Sequence, residues 1–160
     1  GAFISGQGDY VTLFEPTATA LEKEGKGYIV ASIGAESGSI PYTSYCTTKS
    51  YMEKNSDIIQ KFTNAIYKGQ LWVKAHTARE IADVIHPHFK ELSLDDLTVV
   101  MQRYIDIDAW CSTPYFAKEG FNLLMDVMEE ANELDKRAPF STIVNNKYAN
   151  EAIEEVNKKD

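Results

Sequence analysis

The hydrophobic pattern of the chain changes after residue 48, and this change limits the possible folds more than any single residue does. Up to that point the apolar runs are short, rich in β-branched and aromatic residues, and separated by glycine and proline, which is typical of strands. From Lys49 onward apolar residues recur at the three- and four-residue spacing of amphipathic helices. The sequence therefore predicts strands first and helices afterwards, an α/β fold class.

Three strands are predicted, over 10–13, 28–33 and 40–48. The first is followed by Phe14-Glu15-Pro16, and Pro16 opens a predicted helix over 17–23, where a proline fits the first turn. A carboxylate between a strand and a helix lies where open α/β sheets place ligand-binding groups. Glu15 is therefore a candidate binding residue, and the alternative is a solvated acid in a turn.

The helical part of the chain carries clear start and stop signals. A short helix is predicted over 50–54, and Asn55-Ser56-Asp57 opens a long one that ends near residue 76. Thr77 and Glu80 form a capping box for the next helix, which stops before Pro87. Further helices are expected from Ser93, over 117–134 and over 150–158.

Composition excludes some classes of protein. The chain has 160 residues, 44% of them hydrophobic, and a formal net charge of −8. This length and composition suit one globular domain. The negative charge disfavours nucleic acid and anionic membrane surfaces as partners.

The cysteines and histidines do not form a recognisable metal or catalytic motif. Cys46 and Cys111 are 65 residues apart, so they are interpreted as two buried small residues or as a long-range disulfide. His86-Pro87-His88 is interpreted as a surface loop pair, because no third ligand is adjacent in the sequence. No nucleophile, base and orienting group come together in a motif, so we expect no metal, no cofactor and no catalytic residue.

The order of the motifs resembles that of a known family. The order runs from Gly6-Gln7-Gly8-Asp9 through Phe14-Glu15-Pro16 and the segment 41–48 to Lys54-Asn55-Ser56-Asp57, Phe62 and Ala65, with Trp72 after them. It resembles the C-terminal half of periplasmic-binding-protein-like ABC importer receptors, in the branch that binds sulfonates, nitrate, taurine and thiamine-pyrimidine precursors. Ser56 stands where that family usually has proline, and serine still suits a helix start.

The resemblance implies a periplasmic-binding-protein type II-like fold and assigns three segments of the chain to different parts of it. Residues 1–38 would end the second lobe, 39–48 would form a hinge or crossing strand, and 49–160 would return as helices into the first lobe. The chain would be a fragment of a two-lobed protein whose signal region and remaining first lobe lie elsewhere. The protein would be extracytoplasmic, periplasmic or anchored as a lipoprotein.

The same resemblance implies the function of a solute receptor. Two lobes would close around a small ligand, and an ABC transporter permease would be the partner. Candidate ligand-binding residues are Phe14, Glu15, Tyr42, Thr43 and Tyr45. The acid at position 15 favours a cationic or aromatic nitrogen ligand, whereas a sulfonate or nitrate would require donors such as Thr43.

Two other functions are compatible with the sequence. The first is a pyrimidine-biosynthesis enzyme on the same fold, which would require a reactive His or Cys near Glu15. The second is a helical interaction or sensor module without a small ligand, which an exposed apolar patch would favour. A truncated chain with such a patch could also self-associate.

Overall fold

A computed structural model of the protein describes residues 1–158, and helices are the regular secondary structure of these residues. The α-helices are α1 (Thr17–Lys23), α2 (Ile33–Glu36), α3 (Lys49–Lys54), α4 (Ser56–Ala75), α5 (Ala78–Ile85), α6 (Leu94–Asp106), α7 (Lys118–Glu130), α8 (Phe140–Ile143) and α9 (Lys147–Asn157). A 3₁₀ turn, His86–His88, follows α5. These helices form two compact units, Gly1–Glu36 with His76–Ala109, and Ser37–Ala75 with Trp110 onward.

The predicted α/β fold with three early strands is wrong. No residue from 1 to 158 belongs to a strand, and Ile33, the last residue of the second predicted strand, begins α2. Tyr10, Tyr28 and Val30 are 83%, 88% and 74% exposed. A strand depends on ladder hydrogen bonds to a neighbouring strand, so β-branched and aromatic composition alone does not create one. The segment 40–48 likewise has no regular structure.

The first unit is built around the packing of α5 on α6. The buried side chains come from both helices: Ala78, Ile81 and Ala82 of α5, and Leu97, Val100 and Met101 of α6. Helix α1 contacts α6 and contributes the buried Thr19. Small residues on α5 let the two helices approach closely, so the unit is held by a compact apolar contact between neighbouring helices.

The second unit is built around the packing of α4 on α9. Tyr67 of α4 is buried against Ala152 and Val156 of α9. The Tyr67 hydroxyl donates a hydrogen bond to Asn157 Oδ1 at 3.2 Å, which satisfies its polar end. Helix α9 begins at Lys147, earlier than the predicted residue 150, and the buried Ala149 lies in this extra turn.

The long loop after residue 110 is also fixed within the second unit. Phe121 of α7 contacts the rings of Phe116 and Phe140 edge to face, with centroids 6.5 Å and 5.4 Å apart. The Asn146 side chain accepts from Phe116 N and donates to Phe116 O, each at 2.9 Å. Gln70 of α4 donates to the carbonyls of Trp110 and Thr113. Backbone groups that no helix satisfies are thus paired by side chains.

Several predictions from local sequence are confirmed. Helix α1 covers the predicted residues, and Thr77 and Glu80 form the predicted capping box. Ser93 caps α6 by accepting from Asp96 N at 3.1 Å. The prediction for the cysteines is wrong, because Cys46 and Cys111 are both exposed and both free thiols. The assignment of residues 1–38, 39–48 and 49–160 to lobes stays a prediction.

Candidate ligand-binding residues

Glu15 closes the N-terminal end of α1. Its Oε2 atom accepts hydrogen bonds from Thr19 N at 3.0 Å and from Thr19 Oγ1 at 2.6 Å. Thr19 N is one of the first amides of the helix, which have no carbonyl partner inside it. A carboxylate there satisfies the amide and also interacts favourably with the positive end of the helix dipole.

The other oxygen of Glu15 is bound by an arginine from α6. Arg103 Nη1 donates to Glu15 Oε1 at 2.6 Å and to Thr19 Oγ1 at 2.6 Å, and Arg103 Nη2 donates to Glu22 Oε2 at 2.6 Å. The Glu15 side chain is only 11% exposed, and that of Arg103 is 31% exposed. These four residues, Glu15, Thr19, Glu22 and Arg103, are called the Arg103 network below.

The C-terminal end of α1 is closed by the backbone. Gly25 has φ +66°, and its amide donates to Glu22 O at 3.0 Å, while Lys26 N donates to Leu21 O at 3.0 Å. This is the Schellman arrangement, in which glycine supplies the left-handed residue after the helix. Lys23 in the last turn forms an ion pair with Asp96 of α6, so both ends of α1 are tied to the same helix.

The Arg103 network alters the pKa values of its two carboxyl groups, and Tyr104 beside it is shifted as well. Burial raises the pKa of Glu15, but hydrogen bonds from Thr19 and Arg103 outweigh it and leave the pKa below its ordinary value. For Glu22, the hydrogen bonds from Ile29 N and from Arg103 lower the pKa. Burial, with the nearby Glu15 charge, raises the pKa of Tyr104. Glu15 is therefore held as a carboxylate at neutral pH.

Phe14 and Glu15 are neighbours with opposite environments. Phe14 is 66% exposed, whereas the carboxyl group beside it faces α1 and α6. An aromatic ring at the surface next to an anchored residue is a plausible contact for an apolar or planar ligand. The structure thus brings Glu15 into a network and presents Phe14 at the surface of the first unit.

The remaining predicted ligand-binding residues lie in the second unit. Tyr42 and Tyr45 are 78% and 76% exposed, and Thr43 is exposed as well. The Tyr45 ring meets Phe62 of α4 edge to face, with centroids 4.9 Å apart and planes at 81°. This contact fixes one aromatic ring of the segment while leaving most of its surface accessible.

Arg103 is the residue that sequence reasoning missed. One signal could have identified it: Arg103 follows the apolar Val100 by three residues, so the two share a helix face. A charged side chain beside the buried face of a helix requires a partner of opposite charge. Which acid supplies that partner depends on the tertiary fold.

The described residues form neither a metal-binding cluster nor a membrane-spanning helix. Residues 1–158 contain no group of three or more His, Cys, Asp or Glu side chains arranged to hold a metal ion. Within the same residues, no helix has the length and apolar character needed to cross a membrane.

One curated protein is similar over almost the whole chain. It is named "Putative binding protein YtlA", from Bacillus subtilis (strain 168), and is 41% identical over 154 residues. The match covers 96% of this chain and 46% of the relative, so the chain spans about half the length of the protein it resembles. No family model and no solved structure matches the chain. The chain is therefore similar to part of a larger protein that is named for binding.

Proposed function

We propose that this chain is part of an extracytoplasmic solute-binding receptor, which captures a small ligand and presents it to the permease of an ABC importer. The observation that carries this proposal is the 41% identity, over 96% of the chain, to a protein named for binding. The motif order from Phe14-Glu15-Pro16 to Trp72 supports the importer part of the proposal, through its resemblance to importer receptors.

The exposed aromatic and hydroxyl side chains support a particular ligand chemistry. Phe14, Tyr42 and Tyr45 offer ring faces to solvent, and Thr43 adds a hydroxyl that both donates and accepts. Both oxygens of Glu15 already accept from protein donors, so the proposed recognition rests on rings and hydroxyls. Within the second unit, the two tyrosine rings and the Thr43 hydroxyl suit a small planar heterocycle of the pyrimidine class better than a compact oxyanion, and Phe14 is a proposed ring contact in the first unit.

A ligand screen on the full-length protein that contains this chain tests the proposal. Thermal unfolding would be followed with pyrimidines, thiamine, riboflavin, taurine, other sulfonates and nitrate. A ligand that binds only the folded state adds about 2.7 kcal/mol of stability at 100 times its dissociation constant. Stabilisation by a pyrimidine supports the proposal. Stabilisation by a sulfonate or nitrate keeps the receptor function but changes the proposed ligand class. No stabilisation by any compound contradicts the receptor function.

Substitutions separate the proposed ligand contacts from the rest of the surface. Phe14→Ala and Tyr42→Ala are expected to weaken binding of the compound that stabilises the protein. Tyr28→Ala is a matched control, because Tyr28 is 88% exposed in the first unit and is not a proposed contact. Wild-type affinity in Phe14→Ala or in Tyr42→Ala would remove the substituted residue from the proposed contacts.

A second candidate function rests on the exposed apolar side chains of the first unit. Val11, Leu13, Ile29, Val30 and Ile33 are each at least 40% exposed. Such a concentration of exposed apolar groups is typical of interaction surfaces. An interaction module of this kind would self-associate or bind a protein partner. Light scattering of the 160-residue chain over a range of concentrations tests for self-association, and a constant monomer mass would argue against it.

A further inference from the structure

One guanidinium group ties α6 to a segment of the first unit that lies more than 80 residues earlier in the sequence. Arg103 of α6 contacts Glu15, which precedes α1, and Thr19 and Glu22, which belong to α1. Glu22 Oε1 in turn accepts from Ile29 N at 3.1 Å. The planar fork of arginine suits this task, because it directs separate N–H groups to two carboxylates at once.

The orientation of the Glu15 carboxylate depends on Arg103. The Glu15 carboxylate is mostly buried and would be left without its charge partner if the guanidinium were removed. Thr19 would still hold Oε2, but Oε1 would lose its donor. A partly buried carboxylate without a cationic partner gains by turning toward water, which would weaken its hydrogen bonds to Thr19 and loosen the attachment of residues 14–16 to α1.

We infer that Arg103 is a positioning residue, which holds Glu15 against α1 and α6 and thereby fixes the adjacent Phe14 ring in its surface position. The inference rests on the proposed function, because it takes Phe14 to be a ligand contact. Arg103 itself does not touch the ligand in this scheme. Its contribution to affinity comes from reducing the number of conformations of the segment that carries Phe14.

The first test needs no ligand. Amide hydrogen exchange would be measured for Thr19, whose N–H is bound by Glu15, in the wild type and in Arg103→Met. We expect Thr19 to exchange at least tenfold faster in the variant, because the acceptor loses its anchor. Arg79→Met is the control, because Arg79 lies in the same unit and pairs with the exposed Asp83 and Asp95. Unchanged exchange of Thr19 in Arg103→Met would overturn the inference.

The second test measures affinity for the compound that the thermal screen identifies. We expect Arg103→Met to weaken binding about tenfold, at the low end of the losses that follow removal of outer-shell partners of metal ligands. Arg103→Lys is the second variant, in case the methionine protein does not fold, and its single ammonium group should give an intermediate loss. Arg79→Met should bind like the wild type.

A double-mutant cycle distinguishes this inference from the proposed function. If Arg103 acts through Phe14, then Arg103→Met should weaken binding in the wild type but have little further effect in Phe14→Ala. Additive losses would overturn the positioning role while leaving Phe14 as a contact. Full affinity in Phe14→Ala alone would contradict the ligand contact proposed for Phe14, and the positioning role with it.

Discussion

Arg103 and Glu15 are 88 residues apart in the sequence, and Arg103 Nη1 donates to Glu15 Oε1 at 2.6 Å. This ion pair joins α6 to the start of α1, and Glu22 adds a second carboxylate to the Arg103 network. Charge-assisted hydrogen bonds of this kind are stronger than neutral ones. When the charged groups are partly buried, solvent ions screen their attraction less.

Removal of the guanidinium should lower the stability of the protein. We expect Arg103→Met to reduce the free energy of unfolding by about 2 kcal/mol, within the range for hydrogen bonds to charged groups. Arg79→Met should cost at most about 1 kcal/mol, because its ion pairs are exposed. Urea denaturation of the three proteins measures both values, and equal losses would show that the Arg103 network is no stronger than a surface pair.

The Arg103 network should also make stability depend on pH. The pKa of Glu15 lies below its ordinary value of 4.5 in the folded protein. Its contribution is therefore present above that value and is lost as the pH falls through the folded pKa. The difference in unfolding free energy between wild type and Glu15→Gln should be largest near neutral pH and shrink below pH 4.5. Urea midpoints across this range measure it, and a constant difference would contradict the prediction.

The capping box at Thr77 should stabilise α5. Thr77 Oγ1 accepts from Glu80 N at 3.3 Å, and Thr77 N donates to Glu80 Oε2 at 2.8 Å. Thr77→Ala is expected to cost about 1 kcal/mol, the usual loss for a helix cap. Thr63→Ala is a suitable control, because Thr63 lies inside α4 and its hydroxyl donates to the carbonyl of Ile59, within the same helix. Denaturant midpoints of the two variants measure both losses of stability. A larger loss for Thr63→Ala than for Thr77→Ala would contradict the prediction.

Gly120 should not tolerate a side chain. A Cβ atom at this position of α7 would lie 2.9 Å from Ser39 O and 3.4 Å from Pro41 Cδ, so the backbone near Ser39 would have to move. We expect Gly120→Ala to destabilise the protein by about 1–3 kcal/mol, the usual cost of overpacking.

Gly69 provides the opposite case for the same substitution. It lies inside α4, and a Cβ atom there would meet nothing within 4 Å. Gly69→Ala should therefore stabilise the protein by up to about 1 kcal/mol, the difference in helix propensity. Melting temperatures of the two variants should move in opposite directions, and a shift of the same sign would contradict the predicted close contact at Gly120.

The sequence predicted the helices other than α2 and α8 because their signals are local. Thr77 with Glu80, Ser93 before Leu94, and the residues before Pro87 mark boundaries through contacts within a few positions. Such contacts form in the same way whatever the rest of the chain does. The start and end of α1 were predictable for the same reason.

The strands were mispredicted because the hydrogen bonds that stabilise a strand come from a partner strand and not from its neighbours in the sequence. The segments around Tyr10 and Tyr28 have the composition of strands, yet the described residues offer them no partner with which to form a ladder. The Arg103 network could not be predicted from the sequence for a related reason. Nothing near Glu15 in the sequence reveals that a residue 88 positions later donates to it.

The shared guanidinium has a consequence for the order in which substitutions can accumulate. Loss of Glu15 or of Glu22 leaves Arg103 with one acidic partner, so either change is partly buffered by the other acid. Loss of Arg103 leaves two carboxylates close together without a cation, and repulsion between them adds to the loss of both contacts. Neutral substitutions in the Arg103 network should therefore replace Glu15 or Glu22 first. Arg103 should be replaced only after one of these acids has been lost.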